Sequence, residues 1–206
     1  MTGPRLVHAA LTAVILASCG LPSTSQPTAL SSPGEPIWPA PSNALELAVK
    51  AGLTPETKER LLFHVHAHLD VFVDGSPVLV PAGIGINVVD PGVHHGVWNG
   101  NPTYGGIAEC AQPCISPLHT HDVSGILHTE SAFNTTNKLG QFFTEWGITL
   151  SDSCVDRYCA PATPIAVYVD GKRFSGKMAD IPLSGGTEIA VVIGSAPKQI
   201  PSTFPK

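Results

Sequence analysis

The chain has 206 residues, 43% of them hydrophobic and 13% charged, with 20 glycines and 20 prolines. That apolar share is enough for a real core and excludes wholesale disorder, while the glycine and proline load argues against a long helical bundle. A formal charge of −5 at pH 7 offers no basic surface for nucleic acid, and no Lys/Arg run is present to hold an anionic membrane.

Arg5 precedes an apolar run, Leu6 to Ala17, that closes on Leu16-Ala17-Ser18-Cys19. The run is far short of the ~20 residues a bilayer span needs, and it has the layout of an export signal over residues 1–18. Its ending, LASC, resembles the bacterial lipobox. That resemblance implies lipidation of Cys19 and anchoring to the outer face of the bacterial cytoplasmic membrane. An ordinary secretory signal with an incidental cysteine is the alternative. Residues 19–42 hold six prolines among many Ser and Thr, the composition of a tether without a core. A single globular domain is expected over 43–206.

Four cysteines remain beyond Cys19: Cys110, Cys114, Cys154 and Cys159. An even number in an exported chain suggests two disulfides. Three pairings are possible, and the local bridges 110–114 and 154–159 are the simplest. A four-cysteine zinc site fits poorly, because neither spacing is a CxxC knuckle.

In chain order, Asn43 to Gly52 predicts a short helix, capped by Asn43 and closed by Gly52. Thr54-Pro55-Glu56 opens a second short helix to about Leu61. The period then changes. Phe63, Val65, Ala67, Leu69, Val71 and Val73 alternate with His64, His66, His68 and Asp70, a strand with one apolar face. Asp74-Gly75 turns the chain into Pro77–Val80, and residues 84–89 are another strand candidate. Residues 90–113 look like loop. Residues 118–121 and 126–130 are short strands around Ser124-Gly125, Lys138 to Trp146 is an amphipathic helix ended by Gly147, residues 165–174 form a hairpin, and residues 188–193 the last strand. The class is α+β, mainly antiparallel strands and hairpins with two or three short helices.

Eight of the nine histidines fall between His64 and His128. On a strand, alternate side chains share a face, so His64, His66, His68 and Asp70 align about 6.5–7 Å apart. Around Ser124-Gly125, a two-residue turn sets His121 opposite His128. A four-residue loop sets His119 opposite His128 instead. Either way the imidazoles share a face. Side by side, the two segments pool His64, His66, His68, His119, His121 and His128 as ligands of one ion. Neutral imidazole with a free lone pair suits zinc and copper, which stay undecided. Asp70, Asp122, Glu130, His94 and His95 are additional ligands or orient the others by accepting a ring N–H.

FHVHAHLD is similar, over four to eight residues, to the FHVH strand of the copper/zinc superoxide dismutases. That family's further zinc ligands and catalytic arginine loop have no counterpart in HTHDVSGILH. HTH resembles the cupin HxH motif, but Glu130 follows His121 by nine residues, further than a cupin glutamate stands. From Phe63 to Gly147, the blocks HVHAHLDVFVDG, VPAGIGI, LHTHDVSGILHTES and KLGQFFTEWG resemble an uncharacterised group of exported bacterial and archaeal proteins. They share an HxHxH strand and an LHTHDxSGxxHxES block. The resemblance implies one site built from these blocks and implies no reaction.

These features predict a metal-binding lipoprotein that captures, buffers or hands over copper or zinc, held to the membrane through Cys19 near a metal transporter or other partner protein. The alternative is a His-ligated enzyme of hydrolase, lyase or superoxide-handling type, with Glu130 or Asp122 as general base to a metal-bound water. A third reading is a structural or adhesion module.

Overall fold

A computed structural model describes residues 37–205, together with Met1 and Gly3. The expected export signal, Cys19 and the expected tether up to residue 36 otherwise lie outside the described residues. Among the described residues, no helix is long and apolar enough to cross a membrane.

The expected HxHxH strand is β1 (Phe63–Val73), the spine of a seven-stranded sheet. Asp74 and Gly75, both at positive φ, turn the chain into β2 (Ser76–Val78), which pairs with the end of β1. A separate hairpin follows, β3 (His94–Trp98) and β4 (Asn101–Gly105). The main sheet continues with β5 (Leu118–His119) and β6 (Ile126–Ser131). Then come the small hairpin β7 (Cys154–Val155) and β8 (Tyr158–Cys159), the hairpin β9 (Ile165–Val169) and β10 (Lys172–Arg173), and β11 (Glu188–Ile193). The sheet order is β10-β9-β11-β1-β6-β5. All its pairings are antiparallel except β1 with β11, which is parallel.

One face of the sheet carries the main core. Ala67, Leu69 and Val71 of β1, Leu127 of β6 and Ile189, Val191 and Ile193 of β11 pack there with Leu139, Phe142, Phe143 and Trp146. The last four belong to α2 (Leu139–Glu145) and its C-cap, the amphipathic helix expected at 138–146, ended by Gly147 at positive φ. The other helix, α1 (Ala44–Lys50), forms as expected, but Asn43 makes no side-chain cap bond. Its amide donates to Glu46 instead, at 3.2 Å.

Three expectations differ from the structure. Residues 54–61 do not form a helix, because their backbone bonds go elsewhere: Glu56 N–H to Ile115 O, Glu59 N–H to Ile107 O, and Cys110 N–H to Thr57 O. Residues 84–89 are not a strand; Gly83 and Gly85 at positive φ fold them into turns against residues 114–120. The stretch 90–113 contains the β3–β4 hairpin, closed by Asn99-Gly100 at φ 49° and 79°, a strong hairpin dipeptide.

The folded part also begins before residue 43. Trp38 is buried, its carbonyl accepts from Trp146 Nε1 at 3.0 Å, and its own Nε1 donates to Asp156 at 3.0 Å. Among the described residues, the Pro-rich stretch is therefore docked from Trp38 onward. Both disulfides are the local ones, Cys110–Cys114 and Cys154–Cys159. The first lies buried with Ile86, Val93, Ile107 and Ile115 in a second apolar cluster, which underpins the segment leading into β5.

Candidate metal centre

The sheet face opposite the main core carries the histidines. In register, His66 stands opposite His128, and His64 opposite Glu130. On the other edge of β6, His128 stands opposite His119, the arrangement of the longer loop. A row His66–His128–His119 thus crosses three strands. Directly opposed side chains interact across a pair of strands, and here the rings touch: their centroids are 4.3 Å apart for His66–His128 and 5.3 Å for His119–His128. His121 joins the cluster with its ring 4.4 Å from His128.

Ligand atoms converge in two overlapping sets. His119, His121, His128 and Glu130 form one, and His64, His66 and His128 the other; within each set they lie within 4.8 Å of one another. His119 Nε2 is 3.2 Å from His121 Nε2, and His64 Nε2 is 2.7 Å from His66 Nε2. Two nitrogens each ~2.0–2.1 Å from a tetrahedral zinc stand about 3.3 Å apart, so the first spacing is that of a shared ion. Glu130 Oε1 lies 3.2 Å from His64 Nε2, 3.6 Å from His128 Nδ1 and 3.8 Å from His119 Nε2.

The tautomers decide what that proximity means. His119 Nδ1 faces the Ser116 carbonyl at 2.9 Å, and His121 Nδ1 faces the Tyr104 carbonyl. A carbonyl only accepts, so both Nδ1 atoms carry hydrogen and both neutral rings present a bare lone pair at Nε2. Two such lone pairs pointing at each other need a cation between them, either a proton or a metal. Burial, and then the neighbouring charges of His121 and His128, hold the His119 proton affinity well below the ordinary range. Burial and His128 likewise lower that of His121, and burial, His128 and His64 bring His66 down to about 4. The proton is disfavoured and the lone pairs stay available for a metal. His128 Nδ1 and Glu130 Oε2 are buried without a hydrogen-bond partner among the described residues, as ligand atoms held ready would be.

The loop over residues 82–87 closes on this centre. Gly85 sits at φ +75°, and a Cβ there would meet the Leu118 carbonyl and stand 3.1 Å from the His119 Cβ. Only glycine lets the loop pack on β5. There the Gly85 carbonyl accepts from Ser116 N–H, whose own carbonyl holds His119.

Comparison with protein-family models, curated proteins and solved structures finds no match to this chain. What the site does therefore rests on its own geometry.

The other residues singled out by sequence divide as follows. His68 shares a face with His64 and His66 but turns to a different cluster, with Asp70 and Glu188. Asp122 accepts from Ser124 N–H at 2.8 Å and shapes the β5–β6 loop. His94 and His95 are exposed on β3; His95 Nε2 donates to the Val88 carbonyl at 2.7 Å. Their hairpin still touches the centre through Tyr104, which holds His121 by its carbonyl and its N–H. Sequence reasoning missed Glu59, whose Oε1 stands 3.9 Å from His121 Nε2, and Glu188. Neither lies in a histidine block, and no short-range spacing marks them.

Proposed function

We propose that this chain is an envelope metal-binding lipoprotein that captures, buffers and hands over copper or zinc, tethered through Cys19. The observation that carries the metal reading is the pair of Nε2 lone pairs on His119 and His121, fixed 3.2 Å apart by carbonyls behind both rings. The carrier reading is supported by a surplus of ligands. Five imidazoles and a carboxylate exceed the four donors of a structural zinc site, and His128 belongs to both sets. Exposure is graded across them: the His64 side chain is 35% exposed and that of His119 0%. An ion that meets the outer set can pass to the inner one by exchanging ligands around His128. A cavity of about 10 Å³ lies behind His119 and Glu130, on the side of residues 56–60, room for about one water. The lipobox and the resemblance to exported proteins add the location.

The test is metal content. The chain, purified without a histidine tag, is expected to retain zinc or copper through dialysis, measured by mass spectrometry. Retention of neither at micromolar metal would end the proposal. Glu130 Oε2, without a hydrogen-bond partner among the described residues and beside the ligands, favours the enzyme as second reading. Chelator-sensitive ester, bicarbonate or superoxide turnover by metal-loaded protein would replace the carrier with it.

A further inference from the structure

His68 continues the row of β1, yet its chemistry belongs to another strand. The parallel pairing of β1 with β11 sets His68 opposite Glu188. His68 Nδ1 lies 2.9 Å from Glu188 Oε2 and 3.7 Å from Asp70 Oδ2. Its other nitrogen, Nε2, faces the Ser124 carbonyl at 2.8 Å. That carbonyl can only accept, so Nε2 carries hydrogen and Nδ1 faces two carboxylates, where it donates to Glu188 when protonated and offers its lone pair to a cation that displaces that proton. Gly125 makes this contact possible. It sits at φ +82°, and a Cβ there would stand 2.9 Å from His68 Nε2 and 2.6 Å from the Leu69 carbonyl.

An ion pair alone satisfies this cluster poorly. One imidazolium balances one carboxylate, and two are present. No lysine or arginine among the described residues pairs with either. Glu188 is 1% exposed, and its Oε1 has no hydrogen-bond partner among the described residues. A buried carboxylate oxygen without a donor is costly, and a divalent cation supplies the missing charge and the missing partner together. The side chain of Asp70 is 32% exposed, and Asp70 lines a cavity of about 330 Å³ with Leu69, Ser124 and Gly125. That cavity brings solvent to the Asp70 edge of the cluster.

We propose that His68, Asp70 and Glu188 form a second divalent-cation site, one imidazole nitrogen with two carboxylates, suited to manganese or zinc rather than copper. Oxygen-rich donors favour the harder ions, and a single imidazole keeps zinc and manganese within reach. The site is independent of the imidazole centre, which shares none of its ligands.

The test titrates the full chain, untagged and in detergent, with Mn²⁺ alone, reading free Mn²⁺ by electron paramagnetic resonance. One Mn²⁺ per chain at micromolar concentration is expected. Glu188→Gln and Asp70→Asn should each weaken it by about 100-fold, while His128→Ala, which disarms the imidazole centre, leaves it unchanged. Circular dichroism reports that each variant folds, and retention of Zn²⁺ or Cu²⁺ at the imidazole centre adds a second check for Glu188→Gln and Asp70→Asn. Should Glu188→Gln unfold, the half-exposed Asp70→Asn decides. Failure of the native chain to bind Mn²⁺, or native-like binding by folded Asp70→Asn, overturns the second site and leaves the imidazole centre untouched. Loss of Mn²⁺ on His128→Ala overturns it too, because the ion would then sit among the imidazoles.

Discussion

His128 is the one imidazole common to both ligand sets, so replacing it by alanine is the sharpest perturbation of the centre. Its ring lies 4.3–5.9 Å from those of His64, His66, His119 and His121. Removing it leaves neither set with three imidazoles. Structural zinc sites gain about 10–16 kcal/mol from four ligands, or about 3–4 kcal/mol for each. His128→Ala should therefore weaken Zn²⁺ by roughly 100- to 1,000-fold. The assay is competition against a chromophoric chelator, with thermal unfolding in excess Zn²⁺ as a second reading. A 100-fold loss removes about 2.7 kcal/mol of ligand-linked stability at fixed metal. His95→Ala, whose exposed ring packs on Tyr104 and bonds the Val88 carbonyl, is the control and should stay close to native. If His128→Ala stays within a few-fold of the native affinity, or loses no more than His95→Ala, the convergent centre is refuted.

His66, His119 and His121 all hold protons less tightly than an ordinary imidazole, so protons compete less with metal at these nitrogens than at free imidazoles. Zn²⁺ affinity should therefore fall less steeply through pH 6.5 than it would if these three rings held protons normally, with the His66 share lost only near pH 4. A Zn²⁺ titration across pH 4–7.5 checks this: a loss of affinity as steep as that of five ordinary imidazoles would contradict it. Trp38→Ala removes a buried ring packed 5.9 Å from Trp146 and should cost about 3–5 kcal/mol in denaturant unfolding; an effect below about 1 kcal/mol would show that the segment before residue 43 is not part of the folded unit. Opening the Cys110–Cys114 bridge with a double serine substitution releases a loop of sequence separation 4. Loop entropy alone is then worth about 2 kcal/mol, or roughly 4–8 °C in Tm. Zn²⁺ affinity should fall with it, because the bridged segment carries Ser116 into place behind His119; unchanged Tm and affinity would remove that link.

Much of the centre was legible because it is built on strict alternation. The period of two in β1 put His64 and His66 on one face, and the turn at Ser124-Gly125 kept His119 and His128 on one face at either loop length. The longer loop was realised because Asp122 and Ser124 spend their hydrogen bonds inside the connection. Local chemistry also identified most strands, α2 with its closing glycine, and two short-range disulfides. It misjudged 54–61 and 84–89, where helical or strand-like composition is overridden by backbone bonds to a distant segment.

Residue types and spacing by themselves determined that this protein carries two rows of imidazoles able to meet. Which rings meet was a tertiary decision. The parallel docking of β11, 120 residues beyond His68, drew His68 out of the histidine row and gave it carboxylates. The carbonyls of Ser116 and Tyr104 chose which nitrogen of His119 and His121 is bare. Strand periodicity fixes only the face a side chain takes; neighbours across the sheet and behind the ring, distant in the chain, set its partner and its proton.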